Sequence, residues 1–201
     1  DPGYHWELYA FGTEGNNTLL VDGRGQDVVV EQGFEDELGR DHVHTRERDL
    51  LWGLAGAELV HFVAGERADL VSGAAAHAYN KRAHRLRRFD RYAVFLRPDC
   101  FVLHDRLCAQ WPRTFSLLFH GAPGSRADRR DMGVCITDGD AALDVLTASP
   151  GGHCVQIKKA IEKFAFAPYA EFLLPRAKQT CATTLLFPRP SASPVPLVRF
   201  I

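Results

Sequence analysis

The stretch Thr13-Glu14-Gly15-Asn16-Asn17-Thr18-Leu19-Leu20-Val21-Asp22-Gly23-Arg24-Gly25-Gln26 reads as a short apolar strand with tight glycine turns on both sides. Polar residues stand at both mouths. Asn16, Asn17 and Thr18 precede the Leu-Leu-Val run, and Asp22 and Gln26 follow it. A strand framed in this way holds donors and acceptors still at the rim of a sheet, which a sugar or metal site requires.

Outward from that strand the same pattern recurs. Period-2 or short apolar runs rich in β-branched and aromatic residues alternate with Gly, Pro and Asp punctuation. The runs are Trp6–Phe11, Thr18–Asp22, Asp27–Gln32, Glu58–Ala64, Leu70–Ser72, Lys81–Leu96, Cys100–Ala109, Arg113–Phe119, Gly133–Thr137, Ala142–Leu146, His153–Lys158, Ala170–Leu174 and Gln179–Phe187. Turns are expected at Gly23–Gly25, Arg97–Asp99, Gly121–Gly124, Thr137–Asp140 and Ser149–Gly152. The Thr-Asp-Gly-Asp turn is a hairpin signal. Leu50–Ala57 and Lys158–Phe166 are the only short helix candidates, with loops as the alternative for both. Many short strands at regular spacing predict an all-β fold, an antiparallel two-sheet β-sandwich with few short helices, because each sheet must cover its apolar face with another. The sandwich is expected over residues 1–187. Residues 188–201, rich in Pro and Ser, are expected to run as an extended tail.

Composition sets the partner classes. The formal net charge of −1 over 201 residues argues against nucleic acid and against an anionic membrane surface as the main partner. No apolar run approaches the roughly 18 residues of a membrane-spanning helix. Asp1-Pro2-Gly3-Tyr4 leads straight into a strand, as in a chain cut from something longer. The five cysteines are scattered, with neither C-x-x-C spacing nor a dense framework, and read as thiols. A Cys100–Cys108 bridge would have to join the ends of one strand, an awkward geometry.

Four segments carry a resemblance. Asn16-Asn17-Thr18-Leu19-Leu20-Val21-Asp22-Gly23 with Gln26 is similar to the "(H/N)-N-T-l-l-v-d-G-x-x-Q" strand of the heparinase II/III-like polysaccharide lyases, in their sheet-rich C-terminal domain. In that family it follows a "D-x-G-x-Y"-like segment, and here Asp1-Pro2-Gly3-Tyr4 precedes it. Leu70–Tyr79 resembles the family's "v-x-G-d-a-x-x-x-Y", with Ala74 where Asp is usual. Arg88–Leu107, two apolar strands around an Arg-Pro-Asp turn, resembles "R-x-v-l-f-l-k-p-d-y-f-v-v-x-D-r-l", and Leu117-Leu118-Phe119-His120 resembles the following aromatic strand ending in "l-H". The segments occur in family order.

The resemblance implies a domain of a larger lyase that cleaves uronic-acid polysaccharide, of heparan sulfate or alginate type, by β-elimination. It implies that the acid–base Tyr and His and the carboxylate-neutralising Asn lie outside this chain, mostly in an N-terminal α/α toroid absent here. The expected partners are therefore an acidic polysaccharide and that toroid, and the expected compartment is periplasmic or secreted. Some members hold a structural zinc with two His and an Asp; Asp1 and Asn16 fall on two of these positions. Asn is a poor zinc ligand beside imidazole, so no cofactor is expected and the metal site reads as lost. The alternative reading for Asn16 and Asn17 is hydrogen bonding to local backbone.

Other residues invite a role. His42 and His44 have the i, i+2 spacing of a metal or substrate site but sit in a charged segment that reads first as a solvated loop. Arg82, Arg85, Arg87, Arg88 and Arg91 make a basic strand, either a solvated sheet face or an anionic-polysaccharide surface; Arg85 and Arg87 are the substrate candidates, because guanidinium pairs bidentately with carboxylate and sulfate. Asp105 and His120 are candidates for a buried hydrogen-bonded pair. No G-x-S-x-G elbow or phosphate loop is present. The competing class is a non-catalytic carbohydrate-binding or structural sandwich. A self-contained metalloenzyme would need a convergent His/Asp cluster that the spacing does not show.

Overall fold

The computed structural model describes residues 13–26, 57–79, 85–162, 165–194 and 198. Within them run twelve strands: β1 (Leu19–Val21), β2 (Glu58–Val63), β3 (Ala68–Ala74), β4 (Leu86–Leu96), β5 (Cys100–Arg113), β6 (Phe115–His120), β7 (Arg126–Arg130), β8 (Gly133–Asp138), β9 (Ala141–Ala148), β10 (Cys154–Glu162), β11 (Ala165–Leu173) and β12 (Ala177–Pro190). Single-turn 3₁₀ segments at Thr13–Gly15 and Ala76–Tyr79 are the helical pieces among the described residues. The strands form two antiparallel sheets, one in the order β1-β6-β11-β10 and one in the order β2-β3-β4-β5-β12-β9-β8-β7. This is the two-sheet antiparallel sandwich expected from the alternation.

The core lies between the sheets. Leu19, Val21, Phe115, Leu117, Phe119 and Phe172 from the smaller sheet meet Phe89, Leu107, Val134, Val145 and Ala182 from the larger. Phe119 and Phe172 sit edge to face at 5.6 Å. Burying each such side chain stabilises the fold by about 1.5–3 kcal/mol.

Side-chain and backbone bonds fix β1, only three residues long, at both ends. Asp22 and Gly23 both have positive φ (50° and 72°), and Val21 and Arg24 exchange N–H···O bonds of 2.9 and 3.0 Å. That is the two-residue hairpin geometry an Asp-Gly pair favours. Gly25 allows close approach: a Cβ there would stand 2.4 Å from Thr13 Oγ1, the same oxygen that accepts the Gln26 N–H at 2.6 Å. From the other side the fully buried Tyr79 donates its hydroxyl proton to the Leu19 carbonyl at 2.7 Å.

Several expectations are corrected. Lys158–Phe166 is no helix: residues 154–162 of β10 pair with 165–173 of β11 in continuous register. Cross-strand pairing there overrides the helix-forming Lys-Lys-Ala-Ile-Glu-Lys composition. β12 passes the expected boundary at Phe187, since Pro188, Arg189 and Pro190 still pair with β9. β7, Arg126-Ala-Asp-Arg-Arg, is an edge strand without apolar alternation and was not expected. The cysteines, by contrast, follow the sequence reading: Cys100 and Cys108 are free thiols, as are the other three. Trp6–Phe11, Asp27–Gln32 and all of Leu50–Ala57 except Ala57 lie outside the described residues.

Asp22 also clamps β1 to the end of β5. Its Oδ1 accepts the Thr114 N–H at 2.9 Å and its Oδ2 accepts from Arg113 at 2.7 Å. Burial opposes ionisation, but the Thr114 bond and the Arg113 guanidinium outweigh it and hold the carboxyl below the usual carboxylate range. A lowered native pKa contributes stability that is complete above the usual value and is lost as pH falls through the native one. Asp22→Asn should therefore cost on the order of 0.5–1 kcal/mol at neutral pH, discounted because the pair is partly exposed to solvent. Urea titrations should show that gap constant down to about pH 5 and closing below about pH 4. A gap that persists at low pH would mean that geometry, not charge, carries the clamp.

Candidate functional site

The polar mouth before β1 meets the ends of three other strands. The Asn17 side chain does not turn back on its own loop, as the local-backbone reading required. Its Oδ1 accepts the backbone N–H of His120 at 2.7 Å, across 103 residues of sequence. The same oxygen lies 3.1 Å from His120 Nδ1. Because Oδ1 already receives a backbone N–H, the amide orientation is set, and the ring nitrogen facing it must carry a proton. Neutral His120 is therefore the Nδ1–H tautomer, with Nε2 as its basic nitrogen. The imidazole stacks on the Tyr169 ring at 4.9 Å and 18°, across the β6–β11 pair.

Behind this pair lies a buried ion pair. Asp105 on β5 is fully buried and receives Arg91 of β4 in a fork, Nε to Oδ1 at 2.7 Å and Nη2 to Oδ2 at 3.0 Å. Register makes the two residues directly opposite neighbours. The remaining guanidinium nitrogen, Nη1, donates to the Asn17 carbonyl at 2.9 Å. Burial works against the Arg91 charge, but the Asp105 bonds and field outweigh it and raise its pKa above the ordinary guanidinium value. Tyr79 completes the cluster at Thr18, whose Oγ1 is 3.4 Å from the phenol oxygen; burial pushes that phenol's pKa up, so it stays a neutral donor.

Asp105 and His120 are thus not partners of each other, contrary to the sequence expectation. Asp105 points between the sheets at Arg91, whereas His120 ends a strand of the other sheet and is held by Asn17. The arginines separate as well. Arg91 reaches the site. Arg85 instead donates to Gln110 Oε1 at 3.4 Å and lies 5.1 Å from the Trp111 ring centroid, and Arg87 is exposed beside an irregularity in the β4–β5 register. Neither hydrogen-bonds Asn17. Asn16 is exposed, its carbonyl accepting the Thr18 N–H. Asp1, His42, His44 and Arg82 lie outside the described residues. Among the described residues no three His, Cys, Asp or Glu side chains converge as a metal site. Sequence reading missed Tyr169, which carried no signal beyond an aromatic in a strand.

The arrangement is a rim, not a closed pocket: one imidazole with its tautomer set, an aromatic ring behind it, and a backbone carbonyl fixed by a buried guanidinium. It presents an oriented imidazole, stacked on an aromatic ring, at the end of a strand.

The family model described as "Heparinase II/III-like, C-terminal" matches residues 3–194. Among solved structures the chain is similar to a heparinase III (TM-score 0.64, 14% identity, 90% of this chain and 24% of that one). It is also similar to the heparan sulfate lyase HepC of Pedobacter heparinus (TM-score 0.61, 12% identity, 89% and 25%). A heparinase III gene product gives a TM-score of 0.62 at 12% identity, over 87% of this chain and 24% of that one. The chain thus spans about a quarter of the length of these structures, and at such identities the likeness is one of fold. Comparison with curated protein sequences gives no match.

Two substitutions test the rim. Asn17→Ala should release His120 toward the Nε2–H tautomer that free imidazole prefers, visible in the ring ¹⁵N shifts, and cost about 1–2 kcal/mol in urea unfolding. Unchanged ring shifts would remove Asn17 from the role assigned to it. Arg91→Met leaves the Asp105 carboxylate buried and unpaired, with an expected loss of about 3–5 kcal/mol.

Proposed function

The chain belongs to the heparinase II/III-like C-terminal family, and from that premise we propose that it is the β-sandwich part of a polysaccharide lyase acting on a uronic-acid polymer. The match over residues 3–194 carries this reading. In such a β-elimination a proton leaves the carbon beside the uronate carboxyl and the 4-linked sugar departs. The carbon acid is weak, so a base must be positioned on the proton and the enolate-like charge stabilised. The described residues offer a rim for that chemistry. Arg91 is committed to Asp105 and to the Asn17 carbonyl, which makes it a positioning residue. His120, oriented by Asn17 and backed by Tyr169, is the group that would touch the sugar, and the exposed Asn16 is a second candidate.

On this reading the groups that move the proton lie outside this chain, mostly in a helical toroid, and the sandwich forms one wall of the cleft. Heparan sulfate and alginate are the proposed polymer types, and the periplasm or the exterior, where such polymers are met, is the proposed compartment. The chain alone should then bind without turning substrate over.

The test uses the protein as its gene encodes it, incubated with heparan sulfate, alginate and hyaluronan while the ultraviolet absorbance of unsaturated uronate is followed. Signal from the whole protein on at least one polymer, and none from these 201 residues alone, is the expected outcome. Turnover by the 201-residue chain would overturn the division of labour. Silence of the whole protein on every uronate polymer would favour a non-catalytic binding sandwich.

A further inference from the structure

We propose that the larger sheet carries a second saccharide site on the face turned away from the core, a groove that takes the anionic group of an acidic sugar. Side chains alternate along β4 and β5, so the residues between core positions Phe89, Arg91, Asp105 and Leu107 point the other way. On that outward side Arg88, His104 and Arg106 line a groove of about 420 Å³ with Gln179 and Cys181 of β12, and Pro150 of the β9–β10 turn forms one wall. This volume suits one or two sugar units.

The charges in the groove are unequally committed. Arg88 Nε pairs with Asp90 at 3.3 Å. Asp90 stands opposite Arg106 in register, but its carboxylate goes to Arg88, and among the described residues Arg106 has no ion pair. A planar guanidinium exposed at a concave surface, beside the Gln179 amide, is a fork for a carboxylate or a sulfate ester. His104 is held still, its Nδ1 3.0 Å from Thr183 Oγ1. The Tyr92 ring lies 6.4 Å from it and offers an apolar face to sugar C–H groups. These residues belong to one cross-strand row, His61, Ser72, Tyr92, His104 and Thr183, that runs over five strands of the sheet. Beyond the groove the row runs on across the sheet, with His61 Nδ1 3.2 Å from the Oγ of the buried Ser72.

The saccharide class rests on the functional reading above; the recognition of an anion rests on the groove itself. The site lies on the opposite side of the sheet from Arg91, so it would hold polymer outside the cleft rather than take part in cleavage.

The experiment is titration calorimetry of the protein with a heparin-derived oligosaccharide, an oligogalacturonate, a neutral dextran oligomer and a short single-stranded DNA, in parent, Arg106→Glu, Gln179→Ala and Arg129→Glu forms. Arg106→Glu should lower affinity for the acidic saccharides by about tenfold or more with an unchanged melting temperature, and Gln179→Ala by about threefold. Loss for the heparin fragment alone identifies sulfate as the anion; loss for both identifies a carboxylate as sufficient. Arg129→Glu, on the opposite edge strand, should bind as the parent does. The proposal falls if Arg106→Glu binds like the parent, if Arg129→Glu loses as much, or if dextran or DNA binds as tightly as the acidic sugars. Arg106-dependent binding without polymer cleavage by the whole protein would leave the groove standing and remove the lyase reading, while cleavage with Arg106-independent binding would do the reverse.

Discussion

A carboxylate with no solvent exposure is tolerable only when its charge and lone pairs are met, and Asp105 is in that position between the two sheets. Arg91 meets both oxygens in a fork and spends its remaining nitrogen on the Asn17 carbonyl. One guanidinium thereby ties β4 to β5 and ties both to the loop that leads into β1. Among the described residues β1 pairs with β6 alone, over three positions, so side-chain bonds at its ends add to a short ladder. Its placement depends on contacts at its ends: Arg91 and Tyr79 on one side, Asp22 with Arg113 and Thr114 on the other. The position of Asn17, and through it the His120 ring, follows from that anchoring.

A second buried pair does the same work at the far end of the sheet. Arg189 and Asp144 pair at 2.6 Å on adjacent strands, and Arg189 Nη1 also donates to the carbonyls of Pro190, Ser191 and Ser193. The guanidinium thus folds the start of the Pro/Ser segment back onto β12. Its neighbour Cys135 is kept a thiol, its pKa pushed up by burial and by the Asp144 carboxylate. In both clusters an arginine satisfies backbone carbonyls that no strand ladder reaches.

The sheets were legible in sequence because period-2 alternation and turn chemistry are local. The Asp-Gly turn after β1, the Arg-Pro-Asp turn between β4 and β5, and the Asp-Gly-Asp turn between β8 and β9 each sit where their residues require. Legibility failed where partners decide. β10 is a strand because β11 lies beside it, although Lys158–Glu162 alone suits a helix. β7 has the composition of a charged loop and becomes a strand only as the last edge beside β8. At the site, Asn17 stood out from its motif, but its partner did not: a bond spanning 103 residues leaves no trace in a window of ten. Arg91 was one arginine among five for the same reason, since nothing in its neighbours reveals that Asp105 lies opposite.

That failure also explains how one basic hairpin serves two purposes. Along β4, Arg88 and Arg91 are three residues apart, and a strand with a repeat of two sends them to opposite faces. Arg91 goes inward, where desolvation makes its pairing with Asp105 obligatory and leaves no capacity for a ligand. Arg88 goes outward, where a surface pair with Asp90 is worth little and is readily exchanged for another anion. Asp105 and Arg106 on β5 divide in the same way. Charge density in the sequence therefore measures neither stability nor binding; the parity of each position decides which of the two a guanidinium provides.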